Sequence, residues 1–229
     1  MPEFVVLEAA DGFKSQAYVA RPDGKAKAAL IVVQEIFGVN KHMKEVCERW
    51  ADDGYIAIAP QYFDRVERNF EAGYDVEGFA RGKEVSSKLS FDDVTADTTA
   101  AVAWLRENTE LSIGIVGYCF GGTAAWLGAT RVGGIRAAVG YYGRLIGQFL
   151  DEKPRCPVML HFGKEDLSIP AELVDKIEAA HPEVTVYRYE KAGHAFDRFS
   201  DPHAYRPEAA ALALDRTKTF FAQHLGFAK

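Results

Sequence analysis

Cysteine is scarce in this chain of 229 residues, and basic residues never form a block. Cys47, Cys119 and Cys156 stand far apart with no C-x-x-C pair, which excludes a disulfide framework and a zinc site of the usual spacing. Lys and Arg total 27 against 33 Asp and Glu, so the formal net charge is -6. Because nucleic-acid binding depends on positive charge, this composition argues against a nucleic-acid partner.

Targeting and membrane segments are also missing. The N-terminus has no basic region before a long apolar run, so no signal peptide is expected. Leu111–Thr130 carries no charge over the length of a membrane span, but it contains five glycines, together with Ser112 and Thr123. This segment is typical of a buried strand, a glycine turn and a buried helix. We therefore expect a cytoplasmic protein without a membrane partner.

What the chain does contain is an alternation of short β-rich runs and longer helical ones, in a composition that is 48% hydrophobic and 26% charged. Strands are predicted at Phe4–Glu8, Gln16–Ala20, Ala28–Val33, Tyr55–Ala59, Ile113–Val116, Ala137–Tyr141, Pro157–Phe162 and Thr185–Tyr189. Helices are predicted at Lys41–Asp53, Asp92–Asn108, Phe120–Arg131, Ala171–Ala180 and Pro207–Leu225. Gln61–Ser90 shows only fragmentary periodicity and is interpreted as an irregular excursion with room for one helix. No linker divides residues 1–229, so the pattern predicts a single α/β domain with a mostly parallel, doubly wound sheet flanked by helices.

A G-x-C-x-G motif, Gly117-Tyr118-Cys119-Phe120-Gly121, lies between a predicted strand and a predicted helix. In the serine form of this motif, the glycines permit a strained turn that raises the central side chain above the sheet. A helix N-terminus directly behind Cys119 favours its thiolate form. However, a glycine pair arises readily by chance, and a buried cysteine is often an inert apolar residue. The motif alone therefore leaves both interpretations open.

The candidate partners of Cys119 decide between those interpretations. In hydrolases with such a turn, the nucleophile is followed along the chain by an acid and then by a histidine, each just beyond a later strand. Asp166 is the natural acid, with Glu165 as the alternative, and His194 follows the next strand behind a glycine. Because the three positions are filled in the required order, the sequence predicts a Cys119–Asp166–His194 triad.

Four blocks of the sequence resemble the dienelactone hydrolase (carboxymethylenebutenolidase) family. They are Gln34-Glu35-Ile36-Phe37-Gly38-Val39-Asn40, Gly117-Tyr118-Cys119-Phe120-Gly121-Gly122, Gly140-Tyr141-Tyr142-Gly143 and Gly193-His194-Ala195-Phe196. The resemblance implies an α/β-hydrolase domain that hydrolyses an enol-lactone through Cys119, Asp166 and His194, without a metal or organic cofactor. It also implies that Glu35 helps to deprotonate the thiol when substrate arrives.

The expected chemistry adds two backbone donors. An oxyanion formed by attack of Cys119 needs N–H groups, which we expect from Phe120 after the nucleophile and from Ile36 after the third strand. Ring opening would expel an enolate and leave a thioester. His194, oriented by Asp166, would then activate water for deacylation.

Arginines are expected to hold the substrate carboxylate, because the family's substrates carry one. The resemblance assigns Arg198 to this role, and the competing interpretation is an ion pair of Arg198 with Asp197 or Asp201. A second arginine belongs to the excursion, which offers three candidates: Arg65, Arg68 and Arg81. Of these, Arg81 is the one we select.

Two other functions remain open from the sequence. One is a carboxylesterase of broader or different specificity, and the other is a non-catalytic α/β-hydrolase scaffold that binds a ligand or a protein. The expected partner is a small lactone or ester, and the expected state is a monomer or a weak homo-oligomer.

Overall fold

One eight-stranded sheet forms the centre of the molecule in the computed structural model, which describes residues 3–227. Met1 and Pro2, the start of the segment in which no signal peptide is expected, lie outside the described residues. The strands are β1 Glu3–Glu8, β2 Lys14–Ala20, β3 Ala28–Val33, β4 Tyr55–Pro60, β5 Ile113–Tyr118, β6 Ile135–Tyr141, β7 Val158–Gly163 and β8 Thr185–Tyr189. Their spatial order is β1-β2-β4-β3-β5-β6-β7-β8. Strand β2 pairs antiparallel with both β1 and β4, and all the other neighbouring strands are parallel. The predicted mostly parallel sheet is therefore confirmed.

Within residues 3–227, six α-helices flank the sheet, and side-chain caps fix several of their starts. They are α1 Lys41–Asp52, α2 Val76–Ser87, α3 Phe91–Asn108, α4 Phe120–Arg131, α5 Ala171–Ala180 and α6 Pro207–His224. The Asn40 side chain accepts the Met43 N–H at 3.2 Å and begins α1. Ser90 and Asp93 form a capping box, so α3 begins one residue earlier than the sequence suggested.

Helices lie on both faces of the sheet, as two adjacent residues of β5 demonstrate. A side chain at Gly114 would meet Phe221 of α6, whereas Ile115 contacts the helix α4 at Gly128. Because successive residues of a strand face opposite sides, α6 and α4 cover opposite faces. The sheet is therefore doubly wound, and all residues of β3, β4 and β5 are buried, which explains their continuous apolar runs.

The irregular segment 61–90 holds more structure than its sequence pattern indicated. A short 3-10 turn spans Tyr62–Arg65, and α2 begins where the Asp75 side chain accepts the Gly78 N–H at 2.7 Å. The uncharged segment Leu111–Thr130 divides into β5, the turn at Cys119 and α4, as predicted. In residues 3–227, no helix has both the length and the apolar character that a membrane crossing requires.

Candidate active site

Cys119 occupies the sharp turn between β5 and α4, with a φ of 56° and a ψ of -113°. This left-handed backbone costs a non-glycine residue about 1–3 kcal/mol and is typical of functional turns. A Cβ at Gly117 would lie 1.9 Å from the Gly121 carbonyl oxygen, and one at Gly121 would lie 2.4 Å from the Val33 carbonyl oxygen. The two glycines of the motif are therefore required by backbone contacts, and the turn presents Cys119 to the cavity above the sheet.

Asp166 and His194 lie together beside this turn. His194 Nδ1 is 2.6 Å from Asp166 Oδ2, and the other carboxylate oxygen accepts both the N–H (2.9 Å) and the hydroxyl (2.6 Å) of Ser168. The Asp166 side chain is almost completely buried, so these bonds fix the carboxylate toward the imidazole. Because Nδ1 is engaged by Asp166, Nε2 is the nitrogen available to the thiol of Cys119.

The pKa values of Asp166 and His194 are shifted in opposite directions. Burial alone would raise the pKa of Asp166, but the bonds from His194 and Ser168 leave it below its ordinary value. Burial alone would lower the pKa of His194, but its hydrogen bonds with Asp166 and Cys119 raise that pKa to about 10. The arrangement therefore favours an imidazolium held between a carboxylate and the sulfur.

Backbone hydrogen bonds join the loop that carries Asp166 to the loop that carries His194. The Lys164 N–H donates to the Tyr189 carbonyl at 2.9 Å, and the Glu165 N–H donates to the Ala192 carbonyl at 2.8 Å. The side chain of Glu165, the alternative acid, is exposed and makes no hydrogen bond within the described residues. The structure thus brings Asp166, and not Glu165, to the histidine.

Two of the residues that line the cavity at Cys119 are the expected oxyanion donors. Ile36 and Phe120 both line this cavity, and neither N–H has an acceptor among residues 3–227. Phe120 is the first residue of α4, where N–H groups have no partner within the helix and the helix dipole is positive. The structure therefore brings both residues of the expected oxyanion hole to the cavity that Cys119 also lines.

Glu35 and Arg198 are buried and bonded to each other. Arg198 Nε lies 3.0 Å from Glu35 Oε2, and Nη2 lies 2.8 Å from Oε1. Arg198 Nη1 also lies 3.2 Å from Asp201, and the guanidinium lies over the Tyr74 ring at 4.2 Å. Of the two ion pairs considered from the sequence, the one with Asp201 is therefore present. The pair with Glu35, which has two hydrogen bonds, was not predicted. Glu35 and Arg198 are not among the residues that line the cavity at Cys119.

The arginines of the irregular segment are also paired within the protein. Arg81 bonds Glu84 and lies 2.6 Å from Glu67, on a surface away from the cavity at Cys119. Arg65 bonds Asp97 at 2.8 Å. The structure does not bring Arg81 to the other site residues, so its predicted role receives no geometric support.

The cavity above Cys119 has a volume of about 740 Å³ and contains residues that sequence reasoning missed. Ser168 holds the triad carboxylate, and its position two residues after Asp166 is the signal of an Asx turn. Lys83 and Arg144 bring positive charge to the cavity wall. No sequence motif marks either cation. Across the part of the chain that the structure describes, no three His, Cys, Asp or Glu side chains are grouped to hold a metal ion.

Comparison with known proteins gives the following matches. A model of the dienelactone hydrolase family matches residues 15–225. The carboxymethylenebutenolidase of Pseudomonas putida is 34% identical over 233 residues, which cover 97% of each chain. A solved structure from Klebsiella pneumoniae, assigned as a dienelactone hydrolase, has a TM-score of 0.85 at 28% identity and covers 97% of this chain and 99% of that one. A dienelactone hydrolase-like promiscuous phosphotriesterase from metagenomic libraries has a TM-score of 0.76 at 18% identity, covering 98% and 99%, and is similar in fold.

Proposed function

Because the chain belongs to the dienelactone hydrolase family, a family of carboxylic ester hydrolases, we propose that it opens enol-lactones through a Cys119–His194–Asp166 triad. The observation that carries the proposal is the 2.6 Å bond from His194 to Asp166 beside a cysteine on a strained turn. The substrate is a small molecule with an ester or lactone bond. The finer proposal is a lactone that bears a carboxylate.

The first half of the reaction forms a thioester. Cys119 Sγ attacks the lactone carbonyl carbon, and the N–H groups of Ile36 and Phe120 stabilise the resulting oxyanion. The ring C–O bond then breaks, and the enolate oxygen leaves with a proton from the His194 imidazolium. An enolate is a good leaving group, so little further assistance is needed for this step.

The second half hydrolyses the thioester. Once sulfur is acylated it no longer carries the charge that helps to raise the pKa of His194, so the ring becomes a better base. Nε2 takes a proton from water, the hydroxide oxygen attacks the thioester carbonyl, and the C–S bond breaks to release the acid and the thiolate. Asp166 holds the required tautomer throughout.

The predicted role of Glu35 needs a rearrangement. To help deprotonate Cys119, as the family resemblance implies, the Glu35 carboxylate must first leave the two bonds to Arg198. A carboxylate of the substrate that pairs with Arg198 would release Glu35 and offset the loss of that pair. This exchange keeps Arg198 as a proposed substrate ligand, whereas Arg81 would additionally need to leave Glu67 and Glu84.

A carboxylesterase with a broader range of esters is the second candidate function. The observation that favours it is the size of the cavity, because sites of about 300–1,000 Å³ hold ligands of drug size. A panel of lactones and esters, each with and without a carboxylate, separates the two candidates. Preference for the enol-lactones supports the first, and indifference to both ring and charge supports the second.

Brief iodoacetamide treatment tests the nucleophile in both candidates. Burial raises the pKa of the Cys156 thiol to about 11 and that of Cys47 still further, so both should react slowly. We expect the label on Cys119, with hydrolysis lost in proportion. Hydrolysis that survives complete labelling of Cys119 would contradict the proposed mechanism.

A further inference from the structure

The cavity above Cys119 is lined by several large apolar side chains interspersed with polar and charged ones. Phe79 on α2 is half exposed, and Leu167 on the loop after β7 is fully exposed, yet both line the cavity. Phe91 and Leu145 continue the apolar lining toward the nucleophile. Large apolar side chains left in solvent beside a catalytic residue are typical of a surface that receives an apolar ligand.

Two cations also line this cavity, one from the β3 side of β5 and one from the β6 side. Lys83 is one turn beyond Phe79 on α2, which contacts the β3 side of the site where Gly82 meets the Ile36 carbonyl. Arg144 follows the end of β6, on the other side of β5. Lys83 and Arg144 therefore bring positive charge to the cavity from two different elements of the fold.

Neither cation forms an ion pair with another described residue. In residues 3–227, no carboxylate lies within ion-pair distance of Lys83 or Arg144, in contrast to Arg81 and Arg198. The carboxylates of the cavity lining are Glu165 and Asp166, and Asp166 is held by His194 and Ser168. Glu165 lies beside the triad and pairs with neither cation. The positive charge of Lys83 and Arg144 is therefore available to a ligand.

We propose that the cavity selects esters and lactones with an extended apolar body that ends in an anionic group, and that Lys83 and Arg144 recognise this group. The proposal rests on the proposed hydrolase function and deepens it, because it names a substrate larger than a small lactone and the residues that select it. The apolar body lies against the side chains of Phe79 and Leu167, and the reacting carbonyl lies at Cys119. The two cations act by charge on the anionic end of the substrate.

Two esters of equal length test the proposal: mono-p-nitrophenyl suberate, which ends in a carboxylate, and its methyl ester, which does not. In the double variant Lys83→Gln/Arg144→Gln, we expect kcat/KM for the anionic ester to fall at least tenfold and that for the methyl ester to change less than twofold. A charge-assisted hydrogen bond of ordinary strength accounts for a loss of this size. Lys83→Gln and Arg144→Gln as single variants apportion the effect.

A matched control removes two positive charges outside the cavity. Lys88 is at the end of α2 and bonds Glu84, and Arg136 is an exposed residue of β6. The variant Lys88→Gln/Arg136→Gln should leave kcat/KM for both esters unchanged. An equal loss in this control would attribute the effect to net charge and overturn the assignment to Lys83 and Arg144.

The remaining outcomes separate this inference from the function beneath it. The inference would be overturned if Lys83→Gln/Arg144→Gln kept its kcat/KM for the anionic ester, or lost kcat/KM equally for both esters. Either result, with both esters still turned over, would leave the proposed hydrolase function intact. Turnover of mono-p-nitrophenyl succinate well above that of the suberate ester would overturn the extended apolar body. If the unaltered protein turned over none of the esters and no lactone, the proposed function itself would fail.

Discussion

Arg198 and Glu35 face each other through two hydrogen bonds of 2.8 and 3.0 Å, in an interior where both side chains are almost completely buried. Removing one member leaves the other as an unpaired buried charge, which costs about 3–5 kcal/mol. We therefore expect Arg198→Met to lower the free energy of unfolding by that amount. Urea unfolding measures this change.

The double variant Glu35→Gln/Arg198→Met should lose less stability than the sum of the two single variants, because no lone charge remains. Arg21→Met, which breaks an exposed pair with Glu3, is the control and should change stability little. Additive losses in the double variant would mean that the two residues stabilise the fold separately.

The acid of the triad is tested by two neighbouring carboxylates. Asp166→Asn should lower kcat by orders of magnitude, because an amide permits the wrong tautomer of His194. Glu165→Gln should change kcat little, since the Glu165 side chain is exposed and makes no hydrogen bond to His194. Steady-state hydrolysis of a chromogenic ester compares them. A severe loss in Glu165→Gln beside a mild one in Asp166→Asn would assign the acid to Glu165.

The pKa of His194 should depend on the state of Cys119. Its value of about 10 owes part of the increase to the hydrogen bond and charge of the sulfur, so the ring should remain protonated at pH 8. Alkylation of Cys119 with iodoacetamide removes that contribution, and the pKa of His194 should fall toward the ordinary value of about 6.5. NMR titration of the imidazole in both forms measures the change. An unchanged pKa would show that sulfur and ring do not interact.

Gly82 is the point at which α2 packs against Ile36, one of the two proposed oxyanion donors. A Cβ at this position would lie 2.4 Å from the Ile36 carbonyl oxygen, a backbone atom that cannot move aside readily. Gly82→Ala should therefore push α2 and Ile36 apart and lower kcat more than tenfold, because small displacements of reacting groups are costly. Gly133→Ala, where a Cβ meets nothing within 4 Å, is the control and should retain full activity. Equal activity in both variants would exclude a positioning role for this contact.

The family, the hydrolase class and the α/β fold could be predicted from the sequence, and all three are confirmed. The proximity of Cys119, Asp166 and His194 was also readable, because each residue follows a parallel strand and the carboxyl ends of such strands meet at one edge of the sheet. The pairing of Glu35 with Arg198 could not be predicted from the sequence. The two residues are 163 positions apart, and only the packed structure sets their distance.

In the irregular segment the sequence selected Arg81, whereas the structure places another cation of helix α2, Lys83, at the cavity. Arg81 and Lys83 are two residues apart on this helix and therefore point to different sides of it. Arg81 faces Glu67 and Glu84, whereas Lys83 faces the cavity. The side of α2 that faces the cavity depends on the close approach of Gly82 to Ile36. The weak periodicity of the segment does not predict that contact.

A thioester on Cys119 is the central claim of the proposed mechanism, and peptide mapping after rapid acid quenching tests it most directly. The protein is mixed with p-nitrophenyl acetate and quenched within the first turnover, with Cys119→Ser as the parallel sample. We expect an acetyl group on the peptide that contains Cys119 and none on Cys47 or Cys156. Hydroxylamine should remove this acetyl group. An acetyl group on another residue during full turnover, or none on Cys119 at any quench time, would contradict the proposed thioester mechanism.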